Sequence, residues 1–207
     1  MAMGAIPSVK GSVFTAVVED VRKLIQKGEV ASAELSRWLK PEDVALLDAE
    51  IFVSHWYDVR IYARLNDLLR DVEGGGENEY LRERGRETAR RLLAAGLYAQ
   101  MEYLQRAGVA KVTDPKARFE AFGRDLRLLT TLSGSILSFT RWTSKPDPAH
   151  VDRYVIEVTE ARDMPEALCW RSDGFVNEMA TRHGDKDLWS WRRSRPDVVL
   201  WEMTRSL

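Results

Sequence analysis

His55 and Asp58 stand three residues apart in a stretch that reads as helical, a spacing at which two groups can share a proton or a metal ion. Metal catalysis needs a third ligand, and no spacing in the sequence supplies one. Pairing or capping at a helix surface accounts for both side chains. Gly74-Gly75-Gly76 suggests a phosphate loop, but the glycines follow no strand and no Lys-Ser/Thr succeeds them. Asp71, Glu73, Glu77 and Glu79 flank them and would repel phosphate, so a helix-joining loop is expected. Cys169 falls on the apolar side of its helix, where a thiol is inert. Ser133-Gly134-Ser135 lacks the Gly-x-Ser-x-Gly frame of a nucleophile elbow.

The densest mixture of chemistry lies near the end of the chain. Arg192, Arg193, Arg195 and Arg205 are interleaved with Trp189, Trp191 and Trp201. Such mixtures bind single-stranded nucleic acid or anionic ligands. A sheet with one apolar and one solvated face gives the same pattern. Arg192, Arg195 and Arg205 are therefore the candidate anion or partner contacts.

Composition limits the choices. Lys plus Arg total 31 against 32 for Asp plus Glu, so no global charge favours nucleic acid. A single cysteine excludes an internal disulfide and a cysteine-based zinc site. No apolar run approaches the ~18 residues of a membrane span. The first residues lack the pattern of a signal peptide, and a cytoplasmic location is the default expectation. At 207 residues the chain is expected to form one domain, 1–207, with a helical part (1–133) and a sheet part (134–207).

Hydrophobic periodicity supplies the elements. Ser12 is expected to cap a helix through Lys27, with Phe14, Val17, Val18, Val21, Leu24 and Ile25 inward. A short helix follows over 31–39, and Pro41 opens another. Ser54 is expected to cap a long helix bearing Tyr57, Ile61, Leu65, Leu68, Leu69 and Val72, with Asn66 on its polar face. The triple glycine ends it, and a second long helix begins near Glu77 and continues to Gly108. These two helices are expected to be antiparallel, with Gly85 in a close contact. Asp114-Pro115 starts a further helix ending at Ser133-Gly134. Alternation then predicts strands over 135–143, 151–160, 188–193 and 198–204, with a helix from Pro165 to about Arg182 between the pairs. The fold class is α+β: an N-terminal helical region packed on a C-terminal four-stranded antiparallel sheet with one inserted helix, strand-strand-helix-strand-strand.

The register of the last two strands follows from burial. If only Pro196 and Asp197 form the turn, Trp191 faces Glu202 and both faces mix charge with tryptophan. A three-residue loop puts Trp191 opposite Trp201, Trp189 opposite Met203 and Arg193 opposite Val199. Trp189, Trp191, Trp201 and Met203 then form one face turned towards the helices, which any ligand pocket is expected to touch.

Val9-Lys10-Gly11-Ser12-Val13-Phe14 and Ser54-His55-Trp56-Tyr57, each opening a helix, resemble an uncharacterised paralogous family expanded in myxobacteria. Met164-Pro165, Cys169 and Gly174 fit the same resemblance. That family is similar to the heme-nitric-oxide-binding, 4-vinyl-reductase and TRAPP-subunit group. The resemblance implies helices packed on an antiparallel sheet, with heme or another small apolar ligand between them, or an assembly role. The heme-binding branch needs an axial histidine on a central helix and a Tyr-x-Ser-x-Arg run. This chain has only His55, His150 and His183 and no such run, so no cofactor is expected. The first expectation is a non-enzymatic regulatory or sensory domain binding a small apolar ligand between helices and sheet. The second is a protein-interaction or assembly subunit with a filled core, as a homodimer or with another protein, including a regulator of a small GTPase as TRAPP relatives are. An enzyme is not expected, because no acid–base pair, nucleophile or metal set is readable.

Overall fold

A computed structural model describes residues 6–94, 114–181 and 184–207. The expected continuation of the second long helix through Gly96 to Gly108, and the stop at His183, lie outside the described residues. The described chain is α+β and divides into two compact units.

The first unit comprises the chain up to Leu81 together with 135–139 and 163–170. It opens with strand β1 (Ser8–Lys10) and helix α1 (Gly11–Gln26). A 3-10 turn (Ser32–Arg37) and helix α2 (Pro41–Asp48) follow, the latter with proline at its first position as expected. Strand β2 (Trp56–Asp58) pairs antiparallel with β1, and helix α3 (Val59–Glu73) continues from it. The stripe read from sequence is the core here. Phe14, Val17, Val18, Val21 and Leu24 of α1 are buried, as are Leu65, Leu68 and Leu69 of α3.

Three local expectations are corrected. Ser54 does not cap α3; the chain is still extended at Trp56–Asp58, and Asp58 is the cap, accepting from the Arg60 amide at 2.8 Å. Ser12 does not cap α1: the helix already begins at Gly11 with Lys10 at its N-cap, and the Ser12 amide donates to the Val53 carbonyl at 3.0 Å. Asn66 is buried, and its Nδ2 donates to the Tyr62 carbonyl at 2.7 Å. The triple glycine joins α3 to α4 (Asn78–Ala94) as expected, with Gly75 and Gly76 at positive φ.

The second unit holds the rest of α4, helix α5 (Pro115–Gly134) and the four-stranded antiparallel sheet. Strands β3 (Arg141–Pro146) and β4 (Tyr154–Thr159) precede helix α6 (Glu166–Thr181). Strands β5 (Trp189–Arg195) and β6 (Val198–Met203) close the sheet in the order β3-β4-β6-β5. The strand expected over 135–143 is displaced. Leu137 instead bridges Val9 of β1, and β3 begins only at Arg141. Alternation in sequence could not tell which of two sheets each residue joins.

Within this unit α4 and α6 cross with their backbones almost in contact. A Cβ on Gly85 would lie 2.0 Å from the Arg171 carbonyl oxygen, and one on Gly174 would lie 1.8 Å from that of Arg82. Gly85 thus sits in a close contact, as expected, but its partner is α6. Among the described residues no helix is long and apolar enough to cross a membrane.

Candidate functional site

The tryptophan face is built by cross-strand pairing. Trp189 lies opposite Met203, Trp191 opposite Trp201 and Arg193 opposite Val199. The loop differs from the expectation: Arg195 pairs with Val198, and the extra residue is absorbed as a bulge between Arg193 and Arg195. Neither Pro196 nor Asp197 has positive φ, so the turn is not of a primed type. Its twist mismatches the strands, and a bulge restores the twist.

This face is packed. Trp201 is 0% exposed and Trp189 3%. Trp201 stacks on Trp142 at 5.4 Å, and Trp189 on Phe122 of α5 at 6.2 Å. Asn177 of α6 fixes the start of β5 from both sides: its Oδ1 accepts from the Trp189 amide at 2.8 Å and its Nδ2 donates to the Trp189 carbonyl at 3.1 Å. The cavity beside Trp189, lined by Phe122, Leu126, Leu129, Val176 and Met179, holds about 10 Å³. That is room for about one water molecule. The Trp201 indole N–H is buried with no acceptor among the described residues.

The arginine candidates do not converge. Arg192 lies on the opposite, exposed face, where its Nε and Nη2 donate to the Glu202 carboxylate at 2.7 and 2.8 Å. Arg195 is 3.9 Å from Asp197 at the turn. Arg205 donates to the carbonyls of Asp187 and Lys186. His55 and Asp58 do not share a helix face: His55 is exposed in a loop, and Asp58 is occupied by Arg60. Cys169 is fully buried.

Two features escaped the periodicity argument. The first is a polar network joining α4, α6 and the segment before β5. Asp173 is buried and accepts from Arg82 Nε at 2.6 Å and from Asn177 Nδ2 at 3.2 Å. Arg82 and Arg86 both donate to Asp187 at 2.9 Å. Burial raises the Asp173 carboxyl above the ordinary range, and Arg82 opposes this only in part. An open groove of about 460 Å³ borders the network, lined by Glu83, Arg86, Arg90, Glu178, Lys186 and Asp187. Both signs of charge line it, and Arg90 is paired with Glu83 and Glu178.

The second feature is apolar. Ile6, Phe52, Val53 and Trp56 are exposed in the first unit, around β1 and β2. The sequence did carry a signal: Phe52-Val53 and Trp56 fit no helical stripe.

No family model matches the chain, and no curated protein matches it. Solved structures do. An H-NOX protein from S. oneidensis in the Fe(II)NO ligation state aligns over 94% of this chain and 97% of that one, at 12% identity and a TM-score of 0.50. The chain has the H-NOX fold. A mutant H-NOX from T. Tengcongensis aligns over 96% of this chain and 99% of that one, at 13% identity and a TM-score of 0.48. At these identities the likeness to H-NOX is one of fold.

Proposed function

We propose that the chain is a non-enzymatic regulatory or sensory domain spanning 1–207, whose working surface is a protein contact. One observation carries this reading: the tryptophan face that would line a ligand pocket is filled by its own side chains. Pockets for small molecules run from roughly 300 Å³ upwards, and the cavity at Trp189 holds about 10 Å³. An interior of this kind, together with exposed apolar side chains, suits partner binding.

One of the similar solved structures concerns heme distortion in the H-NOX family. The described residues here do not fit a heme. His55 and His150 are exposed, and His150 is engaged by Asp147 at 2.9 Å. Cys169 is enclosed within the core. No group of three or more His, Cys, Asp or Glu among the described residues is placed to hold a metal.

A small apolar ligand at the sheet is the second reading. The H-NOX fold supports it, and so does the Trp201 indole N–H, which a ligand carbonyl could satisfy. Native mass spectrometry of the chain purified from its own host separates the two. The expected result is the mass of the polypeptide, 23.7 kDa, or a multiple of it. A retained small molecule would overturn the protein-contact reading.

A further inference from the structure

We propose that the outer edge of β2 docks an extended segment of a partner protein that carries an apolar and an acidic side chain at positions i and i+2, on the one strand face that Trp56 and Lys10 share. This rests on the protein-contact reading above and gives it a surface and a partner chemistry.

The backbone supplies the first argument. The Gly11 amide donates to the His55 carbonyl at 2.8 Å, and the Val59 amide to the Pro7 carbonyl at 2.9 Å. Hydrogen-bonded pairs alternate along an antiparallel ladder. Ser8 and Lys10 therefore turn their amides and carbonyls away from β2, and Trp56 and Asp58 turn theirs away from β1. On the β1 side those groups are used: the Lys10 amide donates to the Ile136 carbonyl at 2.9 Å, and the Ser8 carbonyl accepts from the Ser138 amide at 3.0 Å. On the β2 side the Trp56 amide and carbonyl have no partner among the described residues. An open edge of this kind is a template for an added strand.

The side chains supply the second. Trp56 is 47% exposed, with Phe52 at 47% and Val53 at 61% in the loop before it. That loop is tied down. Its Val53 and His55 carbonyls accept from the Ser12 and Gly11 amides, and the Phe52 amide donates to the Tyr57 hydroxyl at 2.9 Å. An aromatic anchor on a fixed backbone loses little entropy when it binds.

Charge selects the partner. Lys10 Nζ lies 5.9 Å above the Trp56 ring, and no carboxylate among the described residues pairs with it. The acid on the edge, Asp58, is already held by Arg60 in a two-oxygen contact. An incoming carboxylate would meet Lys10, and an incoming lysine would be repelled by it. Edge lysines commonly block strand addition. Lys10 does not play that part, because β1 is paired on both sides and β2 is the edge.

The test is a selection of random peptides displayed against the whole immobilised chain, followed by amide NMR with the synthesised winners. The expected winners carry an apolar and an acidic residue at i and i+2, shift the Trp56 and Asp58 amide signals and slow exchange at Trp56. Trp56→Ser and Lys10→Glu should each weaken binding at least tenfold, Lys10→Gln by less, and Arg192→Glu not at all. Unchanged circular dichroism melts show that the variants fold. Winners that are basic, or that bind regardless of Trp56→Ser, would overturn the edge proposal and leave the protein-contact reading standing. A Trp56-dependent dimer in light scattering would replace the foreign segment by a second copy and overturn the proposed partner. No winners and no retained ligand would sink the edge proposal alone; no winners with a retained ligand would sink both.

Discussion

Two buried carboxylates face opposite electrostatic fates. Burial raises Asp173 above the usual carboxylate range, with Arg82 opposing it. Burial also acts on Asp43, but Arg64 and the Lys40 amide outweigh it and leave Asp43 lowered. A carboxyl raised by folding contributes fully below its unfolded pKa, and its contribution is lost as pH rises through the folded one. Asp173→Asn should therefore gain stability relative to the native chain as pH rises from about 4 towards neutrality. Asp43→Asn should do the reverse, with a deficit that is largest at neutral pH and shrinks as pH falls. Urea midpoints across that range decide both; parallel curves would contradict the burial of Asp173 in the one case and the hold of Arg64 and the Lys40 amide on Asp43 in the other. Gly85 offers a steric test. Since a Cβ there meets the Arg171 carbonyl at 2.0 Å, Gly85→Leu should cost about 1–3 kcal/mol or more through overpacking. An unchanged denaturation midpoint would mean that α4 and α6 do not cross there.

The β5–β6 hairpin carries its information in its register. The Trp191–Trp201 pairing is fixed by burial, because any one-residue slip would bury Glu202 or Arg192. The Pro196–Asp197 turn depends on the bulge at Ser194 for its twist. Deleting Ser194 should keep Trp191 opposite Trp201 and leave the fluorescence maximum in place, while lowering the denaturation midpoint. A red-shifted spectrum would show that the register had moved. Trp201→Ala should cost about 3–5 kcal/mol, because the ring is fully enclosed. Trp191 is half-buried, so Trp191→Ala should cost less; equal losses in thermal melts would contradict the difference in burial.

For the molecule as a whole, the expectation that the chain holds no heme is tested by cofactor chemistry. Protein mixed with hemin and then washed should show no Soret band. A band that survives washing and disappears on replacing one histidine would establish an axial ligand. A chain can share the H-NOX fold at 12% identity without sharing its function, because function lives in the site and not in the fold. Large side chains such as Trp201 and Trp189 fill the sheet face, and stability follows from that filling.

The amino-acid sequence alone determined whatever periodicity and local chemistry dictate. Phe14 to Leu24, Leu65 to Leu69, the Asp114-Pro115 start, the triple-glycine joint and the Trp191–Trp201 pairing are all readable from spacing, because each depends on neighbours in the chain or across one hairpin. Only the tertiary structure decided the rest. That Trp56–Asp58 is strand, that the Val53 carbonyl holds the start of α1, that Gly85 meets α6 and that Asp173 is buried all depend on partners tens of residues away. Spacing along the chain carries no record of those partners. The same long-range pairing closes both sides of β1 and leaves Trp56 on an open edge, so the surface proposed for partner binding exists only in the folded chain.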